Sequence, residues 1–199
     1  MPGGAETWRT RDGWEVLIRP IAPGDEAAWM EFIKGLSPAT RYKRGGTRLE
    51  ALTPALARER VAPDPEREFA LVAVASRAEA SRIVGVARCQ RHDDASWEFM
   101  LVVADAWQRR GVGRRLMAAL DAEMSRRGIA AVEGLVLASN RGMLDFVQRL
   151  GFRVEPSEAG PMFRRAVKAF AAGTGRDGGR YWDRTSDPSR VRRVLIPLS

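Results

Sequence analysis

Two glycines one residue apart, Gly111 and Gly113, lie among four arginines, directly after the apolar run FMLVV. Because glycine has no side chain, the backbone there can bring several N–H groups close to one phosphate, and the dipole of a following helix adds partial positive charge. Neighbouring arginines can add charge-assisted hydrogen bonds. The spacing therefore indicates an anion-binding loop. A plain helix start, with glycines for packing and arginines in water, would show the same spacing.

Two familiar phosphate-binding loops do not fit these residues. A Walker loop needs Lys and then Ser or Thr after its last glycine, whereas Gly113 is followed by Arg114 and Arg115. A dinucleotide-binding fingerprint needs a third glycine at the position of Leu116. Both of these loops are excluded.

The elements that must position the loop follow from hydrophobic periodicity. Asp12-Gly13 between two strand-like runs predicts a tight hairpin in residues 8–20. Apolar residues at helical spacing predict helices after Asp25, after the glycine loop and near Asn140, and LSPATRYKRGG is expected to be a turn-rich, basic loop. Strands are predicted at EFALVAVAS, RIVGVARCQ, SWEFMLVVA, AVEGLVLA, GFRVEP and PMFRRAVKAF. Since strand–helix–strand units require a parallel pair, this order predicts an α/β domain with a mixed sheet.

Length and composition indicate the class of protein. With 199 residues, of which 45% are hydrophobic and 29% charged, the chain has room for one well-cored domain, placed at residues 1–172. Residues 173–199 are rich in Gly, Arg, Asp and Ser, and we expect them to form a disordered basic tail. The sequence shows no long apolar run and no secretory signal, which predicts a cytoplasmic protein without a membrane partner.

Cys89 and His92 are the single cysteine and the single histidine of the chain. The sequence therefore predicts neither an internal disulfide nor a metal site built from several such residues. The formal net charge of +8 reflects an excess of arginine spread along the chain. A mild excess of this kind is more typical of a solvated surface than of a nucleic-acid interface, so no nucleic-acid partner is expected.

The segment VADAWQRRGVG resembles the acyl-CoA signature of the GCN5-related N-acetyltransferase (GNAT) family, with Val103, Gln108, Gly111 and Gly113 at its defining positions. LASNRGMLDFVQRLGF is similar to the second cofactor segment of that family. GWEVLIRPIAPGD and LSPATRYKR are similar to the acetyltransferase domains of bacterial protein lysine acetyltransferases. The resemblance implies a GNAT-type central sheet, mostly antiparallel with a splayed parallel pair, flanked by helices.

The resemblance also implies that acetyl-CoA is the co-substrate and that no metal is needed. Backbone N–H groups of the loop would hold the pyrophosphate, and the edge of the FMLVV strand would hydrogen-bond the pantetheine arm, which Asn140 would reach from the other side. Backbone N–H groups near Val102 or Val103 could polarise the thioester carbonyl. The loop residues in this assignment are Arg109, Arg110, Gly111, Val112, Gly113 and Arg114.

Glu98 is the candidate general base, since an attacking amine must lose a proton. Side chains alternate along a strand, so Glu98 shares a face with Met100 and Val102. Related protein lysine acetyltransferases have a glutamate at the matching point of an Ala-Glu-Phe-like sequence, here Trp-Glu-Phe. Glu133 in the neighbouring strand is the substitute. The alternative is that Glu98 is an exposed carboxylate at a strand end, without a role.

One position departs from the family pattern in a way that bears on catalysis. Many members have a tyrosine seven residues after the asparagine, to protonate the leaving thiolate. Here that position is Val147, and the two tyrosines, Tyr42 and Tyr181, lie elsewhere in the sequence. A CoA thiolate is a tolerable leaving group near neutral pH, so turnover need not be abolished. The departure leaves open a slow enzyme, or a domain that binds acyl-CoA without transfer.

The resemblance thus implies an N-acetyltransferase that moves an acetyl group from acetyl-CoA to a primary amine, a protein lysine or a small amine, by direct attack in a ternary complex. A catalytically weak acyl-CoA-binding regulatory domain is the alternative, and a nucleic-acid-binding protein is a third hypothesis. The sequence leaves open whether the protein forms a homodimer. Arg41, Lys43 and Arg44 could line the acceptor entrance or form a solvated basic loop.

Overall fold

The computed structural model describes residues 6–45, 52–92 and 96–170. The tail expected at 173–199 and the two ends of the 1–172 domain lie outside these residues. The strands are β1 (Glu6–Arg9), β2 (Glu15–Pro20), β3 (Glu68–Arg77), β4 (Ala80–Arg91), β5 (Trp97–Val103), β6 (Ala131–Leu137), β7 (Arg153–Pro156) and β8 (Phe163–Ala169). The helices are α1 (Glu26–Lys34), α2 (Pro38–Gly45), α3 (Pro54–Val61), α4 (Val112–Arg126) and α5 (Arg141–Arg149).

The eight strands of the described ranges form one sheet in the order β1-β2-β3-β4-β5-β6-β8-β7. Every neighbouring pair is antiparallel except β5 and β6, which run parallel because α4 carries the chain back between them. The register of this parallel pair is the single pair Glu98 and Glu133, so the two strands separate beyond it. The predicted mixed sheet with a splayed parallel pair is confirmed.

Helices cover both faces of the sheet, and each buries the apolar stripe that its sequence indicated. On one face α4 buries a stripe whose members are fully inaccessible to solvent, namely Leu116, Met117, Leu120 and Met124. On the other face α1 buries Trp29 and Phe32 against residues of β3, β4 and β5. Strand β5 contributes Phe99 to the core on the α4 side of the sheet and Val102 to the core on the α1 side, as alternation along a strand requires. None of the helices in the described part of the chain is long and apolar enough to cross a bilayer.

The expectation of a loop at LSPATRYKRGG is wrong, because the segment contains helix α2. The Ser37 hydroxyl accepts a hydrogen bond from the Thr40 N–H at 3.2 Å, and Pro38 occupies the first helical position. Serine followed by proline is a good helix start, since it satisfies one exposed N–H and supplies a residue that needs none. That signal was present in the sequence, and the basic residues after it obscured it.

Candidate active site

A cleft of about 620 Å³ lies where β5 and β6 separate. Its walls come from these two strands, from the loop between β5 and α4, and from one side of α2 and of α5. Eight of the ten residues that the sequence singled out line this cleft: Glu98, Val102, Val103, Arg109, Gly111, Gly113, Arg114 and Asn140. The fold therefore brings together residues that are as far as 42 positions apart in the sequence (98 to 140).

Arg110 and Val112 are the two whose side chains the structure places outside the cleft. The Arg110 guanidinium forms an ion pair with Asp12 at 2.7 Å and lies over the Trp107 ring. The Val112 side chain is fully buried in the core. Along an irregular loop, successive side chains point in different directions, so a contiguous run of residues does not share one surface. Only the backbone N–H groups of these two residues remain available for the predicted phosphate contact.

The loop before α4 has an unusual backbone at two positions. Gly111 has φ of +85° and Arg109 has φ of +58°, both in the left-handed region. For arginine this conformation costs about 1–2 kcal/mol, and residues with such strain concentrate at functional sites. A left-handed residue followed by a right-handed one, here Gly111 and the first helical residue Val112, turns successive N–H groups toward one point, which makes an anion-binding concavity.

Packing does not explain either glycine of the loop. A Cβ added to Gly111 would meet nothing within 4 Å, and one added to Gly113 would make ordinary contacts at 3.6 to 3.7 Å. Gly111 is needed for its positive φ. Gly113 leaves the backbone at the cleft wall uncovered by a side chain. These observations favour the anion-loop interpretation over a helix start with glycines for packing.

A chain of hydrogen bonds joins α2 to the loop. The Asp105 carboxylate accepts from the Ser37 N–H at 3.0 Å, from the Ser37 hydroxyl at 2.7 Å and from the Thr40 hydroxyl at 2.7 Å. The Gln108 amide donates to the Thr40 hydroxyl at 3.3 Å and to the Val103 carbonyl oxygen at 3.1 Å. The bond from the Ser37 N–H is the main reason that the pKa of Asp105 falls to about 2. This carboxylate is therefore charged at neutral pH and holds α2 against the end of β5.

Sequence reasoning missed this network apart from Gln108, which belongs to the signature. Asp105 lies 68 residues after Ser37, and no spacing rule connects two such positions. The sequence did suggest that the basic residues of this segment line an entrance. The structure divides them: Lys43 lines the cleft, whereas the Arg41 guanidinium donates to the Lys34 carbonyl oxygen. The side chain of Arg44 lies outside the described residues.

Glu98 is half-buried at the point where β5 and β6 separate. Burial is the largest influence on its carboxyl group and raises the pKa, because water no longer solvates the charge. The neighbouring charge of Glu133 raises the pKa further, while His92 and a hydrogen bond from the Leu135 backbone oppose this shift. The net direction is upward. Glu98 is thus not the fully exposed, strand-end carboxylate of the alternative interpretation.

Glu133, the substitute base, is already engaged. Its carboxylate accepts from the Arg165 guanidinium at 2.9 Å, and the same guanidinium donates to Glu155 at 3.1 Å. Glu133 is also not among the described residues that line the cleft, whereas Glu98 is. The geometry therefore favours Glu98.

Asn140 has a structural role that sequence reasoning did not include. Its side-chain oxygen accepts from the Met143 N–H at 3.4 Å and caps the start of α5. Asn140 is also one of the residues that line the cleft. On the same helix Val147 is fully buried in the core, whereas its neighbour Phe146 lines the cleft. No tyrosine is among the described residues that line the cleft.

The fold and the cleft define an acyltransferase of the GNAT type, and comparisons with known proteins agree. Residues 67–154 match the family model described as the acetyltransferase (GNAT) domain. A curated acetyltransferase of Pseudomonas aeruginosa is 32% identical over 142 residues, which are 71% of this chain and 76% of that protein. The chain belongs to the GNAT acetyltransferase family, whose members bind acetyl-CoA.

Two solved structures show the same fold at low identity. The GNAT domain of S. lividans PAT superposes with a TM-score of 0.72 at 22% identity, covering 83% of this chain and 97% of that one. The PaiA N-acetyltransferase of Thermoplasma acidophilum, solved in complex with coenzyme A, gives a TM-score of 0.57 at 16% identity. That match covers 78% of this chain and 99% of the other.

Proposed function

We propose that this protein transfers the acetyl group of acetyl-CoA to a primary amine, on a protein lysine or a small molecule, by direct attack in a ternary complex. The observation that carries the proposal is the position of Glu98. Its half-buried carboxylate lies in the same cleft as the left-handed loop at residues 109–111, so one cavity offers both an anion site and a base.

Each wall of the cleft suits a different part of acetyl-CoA. The loop N–H groups and the first turn of α4 suit the pyrophosphate, and the arginines beside them add positive charge. Strand β5 beyond Glu98 has no register partner in β6, so its peptide groups on that side can hydrogen-bond the amides of the pantetheine arm. With the arm bound in this way, the thioester would lie near Val102 and Val103, whose N–H groups could hold the developing oxyanion.

The reaction then needs one proton transfer from the amine. A neutral amine attacks the thioester carbonyl carbon, the C–N bond forms and the C–S bond breaks, and CoA leaves as a thiolate. Glu98 accepts the proton of the amine, directly or through water. A raised pKa makes this carboxylate a stronger base than an ordinary glutamate.

A binding domain without turnover is the second candidate function. It is favoured by one observation, which is that the position where many relatives have a catalytic tyrosine is Val147, buried in the core. An acyl-CoA sensor would need the loop and the arm-binding strand but neither a base nor an acid.

The release of free CoA thiol from acetyl-CoA separates the two functions. Purified protein is assayed with a panel of small amines and lysine peptides, and the affinity for acetyl-CoA is measured by calorimetry. Turnover on at least one amine supports the enzyme. Saturable binding of acetyl-CoA with no turnover on any amine or peptide would favour the sensor.

A further inference from the structure

Lysine is scarce in this protein. Of the 33 basic residues only three are lysines, at positions 34, 43 and 168. The arginine side chain stays protonated at any ordinary pH and is not an acyl acceptor, whereas a lysine amine is a nucleophile once it loses its proton. The chain therefore presents very few side chains of its own that a bound thioester could acetylate.

Lys43 differs from the other two lysines in its surroundings. It is exposed and lines the cleft, one helical turn after Thr40, which lines it as well. Lys34 is paired with Glu31 at 3.0 Å and Lys168 with Asp121 at 2.5 Å, and neither lysine lines the cleft. Each of these two ammonium groups is held by a carboxylate outside the cleft, away from any thioester bound there.

The helix that carries Lys43 is held in place by the hydrogen-bonded chain described above. Asp105 holds the first turn of α2 through Ser37 and Thr40, and Gln108 ties Thr40 to the carbonyl group of Val103. Helix α2 is thus attached to the end of the strand that faces the thioester in the proposed reaction. The flexible four-carbon stem of Lys43 starts from this fixed base and opens into the same cavity as Glu98.

We propose that Lys43 is a site of self-acetylation, modified by the acetyl-CoA bound in the protein's own cleft. The inference rests on the proposed function, because it uses the same donor and the same base. The Lys43 Nζ attacks the thioester carbonyl carbon, the C–N bond forms as the C–S bond breaks, CoA leaves as a thiolate, and the amine proton passes to Glu98 or to water. The product is an amide in place of an ammonium group.

Acetylation of Lys43 changes the charge of the cleft. Among the described residues, four basic ones line it, namely Lys43, Arg109, Arg114 and Arg149. Loss of one of the four positive charges weakens the attraction for an anionic ligand, and the added acetyl group occupies space at the wall formed by α2. Accumulated acetyl-CoA would in this way reduce the capacity of the protein to use it.

Mass spectrometry tests the proposal on the full-length protein. The wild type is incubated with acetyl-CoA, its intact mass is followed over time, and the acetylated residue is found by peptide mapping. We expect one acetyl group on Lys43, added at a rate per molecule that does not change with protein concentration. K43R should lose this modification, while the matched variants K34R and K168R should acquire it at the rate of the wild type.

Several results would overturn self-acetylation at Lys43. These are an even spread of acetyl groups over the three lysines, a rate proportional to protein concentration, or an equal rate in heat-unfolded protein. A wild type that acetylates added amines and leaves Lys43 unmodified would also overturn it, with the proposed function intact. Acetylation of Lys43 without turnover on any added amine would support self-acetylation. That result would contradict only the acceptor class given in the proposed function.

Discussion

Glu98 lies where burial and a neighbouring carboxylate both make its charged form less favourable. A base of this kind takes up a proton more readily than an exposed glutamate, and the protein loses some stability in exchange. Function and stability therefore make opposite demands on this one side chain. Substitution by an uncharged isostere should separate the two effects.

Glu98→Gln should lower the turnover number at pH 8 by about 100-fold or more, because general-base catalysis contributes about 10²–10⁴-fold. Acetyl-CoA affinity should stay within about threefold, since Glu98 is not assigned to CoA binding. The matched control is Glu79→Gln, in the exposed turn between β3 and β4, which should leave both quantities unchanged. An unaltered turnover number would remove Glu98 as the base.

The same variant makes a prediction about stability with a definite sign. The pKa of Glu98 is raised in the folded protein, so its ionised form costs stability once the pH exceeds the unfolded value. Glu98→Gln should therefore have the higher melting temperature at pH 8, and the difference should vanish as the pH falls toward 4. A melting temperature below that of the wild type at pH 8 would contradict the assigned burial.

Asn140 caps α5 and lines the cleft, and two substitutions separate these roles. Asn140→Asp retains an oxygen for the Met143 N–H and adds a charge that suits a helix start, so stability should be retained. It loses the amide donor, and acetyl-CoA should bind about fivefold more weakly, as expected for one hydrogen bond of about 1 kcal/mol. Asn140→Ala should lose about 1 kcal/mol of stability as well. If calorimetry finds the acetyl-CoA affinity of Asn140→Asp unchanged, Asn140 serves only as the cap of α5.

At the scale of the element, the loop between β5 and α4 retains a strained residue. Arg109→Gly removes the strain of φ +58° and should raise the free energy of unfolding by about 0.5–1 kcal/mol, part of the gain being offset by a more flexible unfolded chain. CoA affinity should fall because one cation is lost from the cleft. Arg109→Lys is the matched control, since it keeps both the charge and the strain. Chemical denaturation and calorimetry provide the two measurements, and a Gly variant less stable than the wild type would contradict the strain.

Elements with a strong period could be predicted, and single side-chain directions could not. The stripe of α4 and the parallel β5–β6 pair follow from apolar spacing and from the strand–helix–strand order. Helix α2 was missed because the basic residues that follow Ser37 and Pro38 obscured the helix-start signal of these two residues. Arg110 and Val112 belong to the expected loop but point elsewhere, since tertiary contacts with Asp12 and with the core decide their directions.

At the scale of the whole molecule, the ligand should stabilise a sheet whose β5–β6 junction is held by a single register pair. Acetyl-CoA at about 100 times its dissociation constant should raise the free energy of unfolding by about 2.7 kcal/mol. Gly111→Val, with its left-handed φ, should lose most of this gain. Gly128→Val is the control, because it places the same strain at the far end of α4, with φ of +69°. Both variants should melt earlier than the wild type without ligand, and only Gly128→Val should keep the full ligand-induced rise. An equal ligand-induced rise in melting temperature in both variants would show that the loop does not bind CoA.

The gap between β5 and β6 gives the proposed catalytic cycle an unusual character. If the pantetheine arm hydrogen-bonds to β5 where β6 has diverged, the substrate serves as an additional short strand in the middle of the sheet. Each turnover then inserts this strand and withdraws it again. Release of CoA then requires the opening of these backbone hydrogen bonds between the arm and β5.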